Sequence, residues 1–207
     1  IGHELTHGVT QNEANLTYAL QPGALNESMS DVFGILVKQR ALNLEASSSD
    51  WVIGAGLFTE NVNGDGIRNM KAPGTAYDDP VLGKDPQPAH MDDYQVYPYD
   101  NGGVHINSGI PNKAFYVTAL EMGGFAWEKA GRIWYVTLRD KLGLSSSFQE
   151  AANQTHAVAG SLFGNNSLEQ RAVAKGWKEV GITVGDAPGC LPLASLTKLF
   201  SQNAQGR

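Results

Sequence analysis

The chain has 207 residues, 42% hydrophobic and 17% charged, with 21 acids against 15 bases and a formal net charge of -6. That length can bury a real core as one large domain or two small ones. The acidic balance argues against broad nucleic-acid binding through a basic face, and no stretch approaches the roughly 20 apolar residues that cross a bilayer.

In chain order, residues 1–10 read as helical. Ile1-Gly2-His3-Glu4-Leu5 has the look of a helix interior with no cap, so the chain reads as a fragment whose upstream portion completes this helix. Residues 11–22 read as a loop. From Gly23 to Lys38, apolar residues at 25, 29, 32, 33, 36 and 37 keep a helical period over a wide arc, which predicts a deeply buried helix. Residues 60–112 are rich in Gly, Pro, Asp and Asn and carry no sustained period; so long an irregular stretch is usually functional or ion-bound. Helical patterns return over 113–122, 125–141, 146–163 and 167–180, punctuated by Gly124, Gly143 and Gly164. From residue 183 onward the chain reads as a tail or linker, with Cys190, the single cysteine, inside it. One cysteine allows no internal disulfide, and bound metal is the usual alternative staple.

His3-Glu4-Leu5-Thr6-His7 is an H-E-x-x-H motif. On a helix, positions i and i+4 share a face, so both imidazoles can reach one ion, and neutral imidazole suits zinc. Glu4 can address a water on that ion without ligating it, which suits a general base. A catalytic zinc needs a third protein ligand. Glu27 stands as a carboxylate on an otherwise apolar helix, where only a cation or a partner offsets the cost of burial. Asp31 lies four residues on and can accept the spare N–H of a ligand histidine.

With His3-Glu4-Leu5-Thr6-His7-Gly8-Val9-Thr10, Gly23-Ala24-Leu25-Asn26-Glu27-Ser28, Ser30-Asp31 and Asp100-Asn101-Gly102-Gly103-Val104-His105-Ile106-Asn107-Ser108-Gly109, the sequence resembles the thermolysin family of zinc endopeptidases. The likeness runs from Ile1 to about Ile182. It implies a mainly α fold: the family's helical C-terminal catalytic domain over 1–182, with a long irregular central region. It further implies His3, His7 and Glu27 as ligands of one zinc, with Glu4 activating the zinc-bound water and passing its proton to the leaving amine. His105 and Tyr18 match the family's donors to the oxyanion, and Asp100 matches the acid that orients His105. Arg68 matches the arginine that binds a substrate carbonyl, Ile67 would line the pocket for a large apolar side chain after the scissile bond, and Asn26 is placed with them on the substrate side. The resemblance implies peptide or protein substrates, an N-terminal domain as the other wall of the cleft, and secretion.

The sequence departs from the family where a double calcium site is expected. Asp50 is kept, but Lys38, Val52 and Ala55 stand at further ligand positions, so a Lys38–Asp50 ion pair is expected in place of the ions. Thr59 and Asp65 match oxygen ligands of a separate loop calcium site, against the plain reading of an Asx/Gly turn. A zinc aminopeptidase shares the H-E-x-x-H and distant Glu, but the Gly-Gly-Val-His segment favours the endopeptidase. The remaining alternative is an inactive or autolytic fragment that binds zinc or a partner but lacks half the cleft. No role is evident for His90, and His156, beside alanines, is expected in packing or on the surface.

Overall fold

A computed structural model describes residues 1–185. The tail or linker expected from residue 183 onward lies outside the described residues from 186 on, Cys190 included. Among the described residues, seven α-helices make up most of the fold: α1 Gly2–Glu13, α2 Leu20–Leu42, α3 Asp100–Asn107, α4 Gly109–Met122, α5 Ala130–Asp140, α6 Phe148–Phe163 and α7 Leu168–Glu179. The mainly α expectation holds.

Helix α2 is the axis. Residues 23–32 are buried without a break, which is why its apolar residues occupy so wide an arc. It ends on Asn43 in the left-handed region (φ 52°), whose N–H reaches the Arg40 and Gln39 carbonyls. Helix α1 crosses α2 at a pair of glycines. A methyl group on Gly2 would lie 3.2 Å from the Gly34 Cα, and one on Gly34 would lie 3.2 Å from the His3 nitrogen. Two facing glycines let the backbones approach, and this sets His3 and His7 against Glu27.

Behind α2 the core is aromatic. Trp51, Trp134, Trp177, Phe115 and Phe148 are fully buried, each worth on the order of 1.5–3 kcal/mol in burial alone. Trp134 and Trp177 lie parallel, 3° apart, with centroids 6.4 Å apart, so they join α5 to α7. The Trp177 Nε1–H donates to Thr155 Oγ1 at 2.8 Å and ties in α6. Helix α6 starts at a capping box: Ser147 accepts from the Glu150 N–H while Glu150 accepts from the Ser147 N–H.

Between α2 and α3 the chain makes two small antiparallel ribbons. Val52–Ile53 (β1) pairs with Arg68–Asn69 (β2), and Asp78–Asp79 (β3) with Gly83–Lys84 (β4). Two buried carboxylates organise the rest of this stretch. Asp79 accepts from the N–H groups of Asn63, Val81 and Leu82, and Asp85 from those of Gly74, Ala76 and Gln87.

The irregular region expected over 60–112 ends earlier than that. Helices α3 and α4 start inside it. The reason lies in the Asp-Asn-Gly-Gly run, which has loop composition but folds as one left-handed turn: Asp100, Asn101, Gly102 and Gly103 have φ of 53°, 49°, 91° and 89°. Asn, Asp and Gly are the residues that tolerate this region. The loop expected at 11–22 is likewise shorter, running only from Ala14 to Ala19 between α1 and α2. His90 accepts from the Asp92 N–H at the start of a short 3-10 turn, and its ring sits against Gly181, which fits a structural role. His156, half-buried on α6, lies away from the cluster described next.

Candidate metal centre

Four elements meet at one cavity of about 700 Å³: α1 brings His3, Glu4 and His7, the following loop Tyr18, α2 Asn26 and Glu27, and α3 His105. Among the described residues, His3, His7 and Glu27 form the one group of three or more His, Cys, Asp or Glu side chains placed to hold a metal ion, with ligand atoms within 4.8 Å of one another. His3 Nε2 lies 3.1 Å from His7 Nε2, 3.5 Å from Glu27 Oε2, and His7 Nε2 lies 3.4 Å from Glu27 Oε1. Bonds of about 2.0–2.1 Å in a tetrahedral zinc site put neighbouring ligand atoms about 3.3–3.4 Å apart; the three spacings are of that size, with each histidine facing a different oxygen of the Glu27 carboxylate.

The hydrogen bonds sharpen this test. His3 Nδ1 lies 2.8 Å from Asp31 Oδ1. An ionised carboxylate has no hydrogen to offer, so Nδ1 carries the proton and Nε2 is bare. His7 Nδ1 lies 2.8 Å from the Asn26 side-chain oxygen, also an acceptor, and 3.2 Å from Ser30 Oγ. In the neutral rings the two Nε2 lone pairs therefore face each other across 3.1 Å with no hydrogen between them. Glu27 is fully buried and its Oε2 has no hydrogen-bond partner among the described residues. Two facing lone pairs and a buried orphan carboxylate oxygen repel one another unless a cation sits among them.

Asp31 is fully buried and its four acceptor positions are filled. Oδ1 accepts from His3 and from Arg68 Nη2 (2.7 Å), Oδ2 from Arg68 Nε (2.7 Å) and Asn112 Nδ2 (2.8 Å). Burial pushes the Asp31 carboxyl up, but the Arg68 charge and then the bonds from His3 and Arg68 outweigh it and hold it below the ordinary value. The same pair raises the Arg68 guanidinium against its own burial.

On the other side of Glu27, the Tyr18 hydroxyl donates to Glu27 Oε1 and sits 3.2 Å from His105 Nε2. Burial first, then the Glu27 carboxylate, push the Tyr18 hydroxyl well above its ordinary value. Asp100 holds His105 twice, accepting from its backbone N–H (2.9 Å) and from Nδ1 (2.5 Å).

Three expected residues stand elsewhere. Ile67, 40% exposed, packs toward Gly54 and does not line this cavity. Thr59 is exposed, and Asp65 lines a separate cavity of about 350 Å³ with Asn63, Asp78 and Lys84. Asn112 and Gln87, whose Nε2 donates to the His105 carbonyl at 2.7 Å, belong to no motif in the sequence, and Ser30 has no role assigned within the Ser30-Asp31 match. A polar residue at a buried phase of α4 was the one signal for Asn112.

Fold and site define a member of the metallopeptidases. The chain belongs to the thermolysin family: the model of the thermolysin metallopeptidase alpha-helical domain matches residues 14–182. It is similar to Protease PrtS of Photorhabdus sp. (strain Az29), 55% identical over 187 residues that make up 89% of this chain and 50% of that protein. An extracellular metalloprotease of Pectobacterium carotovorum subsp. carotovorum is 52% identical over 185 residues, 89% of this chain and 53% of that one. In structure it is similar to the precursor of protealysin, a metalloproteinase from Serratia proteamaculans, with a TM-score of 0.85 and 56% identity over 88% of this chain and 56% of that chain. The chain thus spans about half the length of these relatives.

Proposed function

We propose that this chain carries the zinc site and catalytic residues of a secreted zinc endopeptidase. The observation that carries the reading is the pair of bare histidine nitrogens facing a buried, partnerless Glu27 oxygen, with Glu4 in the same cavity. His3, His7 and Glu27 would hold the ion. When bound, zinc supplies a Lewis acid and makes water acidic enough to attack a peptide carbonyl at neutral pH.

Glu4 is free of other partners among the described hydrogen bonds and takes the proton from the attacking water, then gives it to the leaving amine. Tyr18 and His105 lie side by side, and both donate to the oxygen that gains charge when the His105 ring carries a proton on Nε2 as well as on the Nδ1 that Asp100 holds. Arg68 spends Nε and Nη2 on Asp31, which leaves the Nη1 hydrogens for a substrate carbonyl. A preference for a large apolar residue after the scissile bond follows from the family likeness. The relatives named extracellular support secretion.

A second domain over this cleft is supported by the length of the relatives and by Leu5 (70% exposed) and Val9 (41%), which lie one turn apart on the helix that bears the ligands. Residues 1–182 are read as the helical catalytic domain. We also propose that Lys38 and Asp50 stand in for the double calcium site.

The chain loaded with zinc is offered an internally quenched peptide with Leu or Phe after the scissile bond. Glu4→Gln should bind about one zinc per chain, as the parent does, and cleave about 10²–10⁴-fold more slowly. An unchanged rate would remove Glu4 from the mechanism. If neither form cleaves while both hold zinc, the chain is the inactive half of such an enzyme.

A further inference from the structure

Asn112 lies on α4, 81 residues from Asp31 in sequence, and is fully buried. Its Nδ2 donates to Asp31 Oδ2 at 2.8 Å. Its own oxygen is buried and has no partner among the described residues. A leucine has nearly the same shape and would leave no orphan acceptor, so packing alone does not account for an amide here. What the amide does provide is the fourth hydrogen bond to a carboxylate whose other three come from His3 and Arg68.

The arrangement has a mechanical consequence. Arg68, on β2, grips Asp31 through two parallel bonds, and a carboxylate held only in that way can rock with the guanidinium as one plane. Asn112 pins the far oxygen from α4, a second and independent element. With both oxygens pinned, Oδ1 stays on His3 Nδ1. That fixes which His3 nitrogen carries the proton, because the tautomer of a ligand histidine is set by the bond its other nitrogen makes. His7 has no such arrangement; its Nδ1 faces only the neutral groups of Asn26 and Ser30.

We propose that Asn112 is a positioning residue of the metal centre: through Asp31 it holds His3 in the Nδ1–H tautomer with Nε2 turned toward His7 and Glu27. The inference rests on the zinc reading for its consequence, though not for the tautomer itself.

The test uses the full chain with Asn112→Leu, and with Thr118→Val as a control elsewhere on α4, where the Thr118 hydroxyl makes one long bond to the Ala172 carbonyl. Nitrogen-15 NMR of the histidine rings in the metal-free chain reads the His3 tautomer. A fluorescent chelator competing for zinc reads affinity, and urea unfolding reads stability. The parent should show His3 as Nδ1–H. Asn112→Leu should spread it over both tautomers and weaken zinc binding about tenfold, the low end for outer partners of ligand histidines. Thr118→Val should move only the urea midpoint. If Asn112→Leu behaves like Thr118→Val, Asn112 is a packing residue and the proposal fails. If the parent binds no zinc but Asn112→Leu still scrambles the tautomer, the positioning stands and the zinc reading falls. Should Asn112→Leu fail to fold, Asn112→Ser, which is too short to reach Asp31, reads the same tautomer ratio.

Discussion

His105 hangs from Asp100 by two bonds, and that carboxylate is aimed by a turn with four successive positive φ angles. A side chain so held is poised to donate at one spot without reorganising, which is where a hydrogen bond to developing charge counts most. His105→Gln should therefore lower kcat/KM by about 10²–10³ while zinc content stays at the parent level. Loss of zinc would instead make His105 a ligand. At this scale the sequence said a good deal. His3, His7 and Glu27 could be named because ligand chemistry restricts residue types and a helix restricts spacing. Asn112 could not, because a single buried amide carries no pattern.

Element by element, legibility followed periodicity. Helix α2 was readable since a wide apolar arc has no loop counterpart. Helix α3 was missed because its first turn is left-handed and its residues are those of a turn. The β3–β4 ribbon was invisible as well. Its two-residue strands are too short to alternate, and they are held by Asp79 rather than by a hydrophobic face. The backbone N–H groups of Asn63, then Leu82 and Val81, hold the Asp79 carboxyl below its ordinary value. A depressed carboxyl stabilises the fold fully above the unfolded aspartate pKa of about 3.9 and loses that contribution as pH falls through its folded value. Asp79→Asn should lower the urea midpoint at neutral pH and converge on the parent once the pH has fallen below the folded value of this carboxyl. A gap that persists in acid would mean the residue acts through shape and not through charge.

For the whole molecule, the question is what fastens the long central segment to the helices. Lys38 Nζ donates to Asp50 Oδ1 and Oδ2 at 2.8 and 2.7 Å, and sits 3.4 Å from the Val52 carbonyl, so the ion pair expected from sequence is formed. Both side chains are partly exposed, at 30% and 48%, and such a pair contributes only about 0–1 kcal/mol. Larger contributions come from Trp51, fully buried with its Nε1–H on the Ala46 carbonyl at 2.8 Å, and from the Asp85 bonds. If Lys38 replaces the ions, millimolar calcium should leave the thermal midpoint of the zinc-loaded chain where it was. Lys38→Glu should lower the midpoint and make it respond to calcium. A rise on adding calcium that Asp50→Asn abolishes, or two calcium ions bound at Asp50, would overturn the replacement.

By itself the sequence determined the helical class and the family and marked out the candidate ligands and base, because each depends on residue chemistry at short spacing or on a regular period. The tertiary structure alone decided which partner each of those groups meets. Facing glycines set how closely α1 approaches α2. A left-handed turn aims Asp100 at His105. Arg68 and Asn112, 37 and 81 residues from Asp31, converge on its buried carboxylate. Contacts at such separations are fixed by how whole elements pack, and no local pattern encodes them.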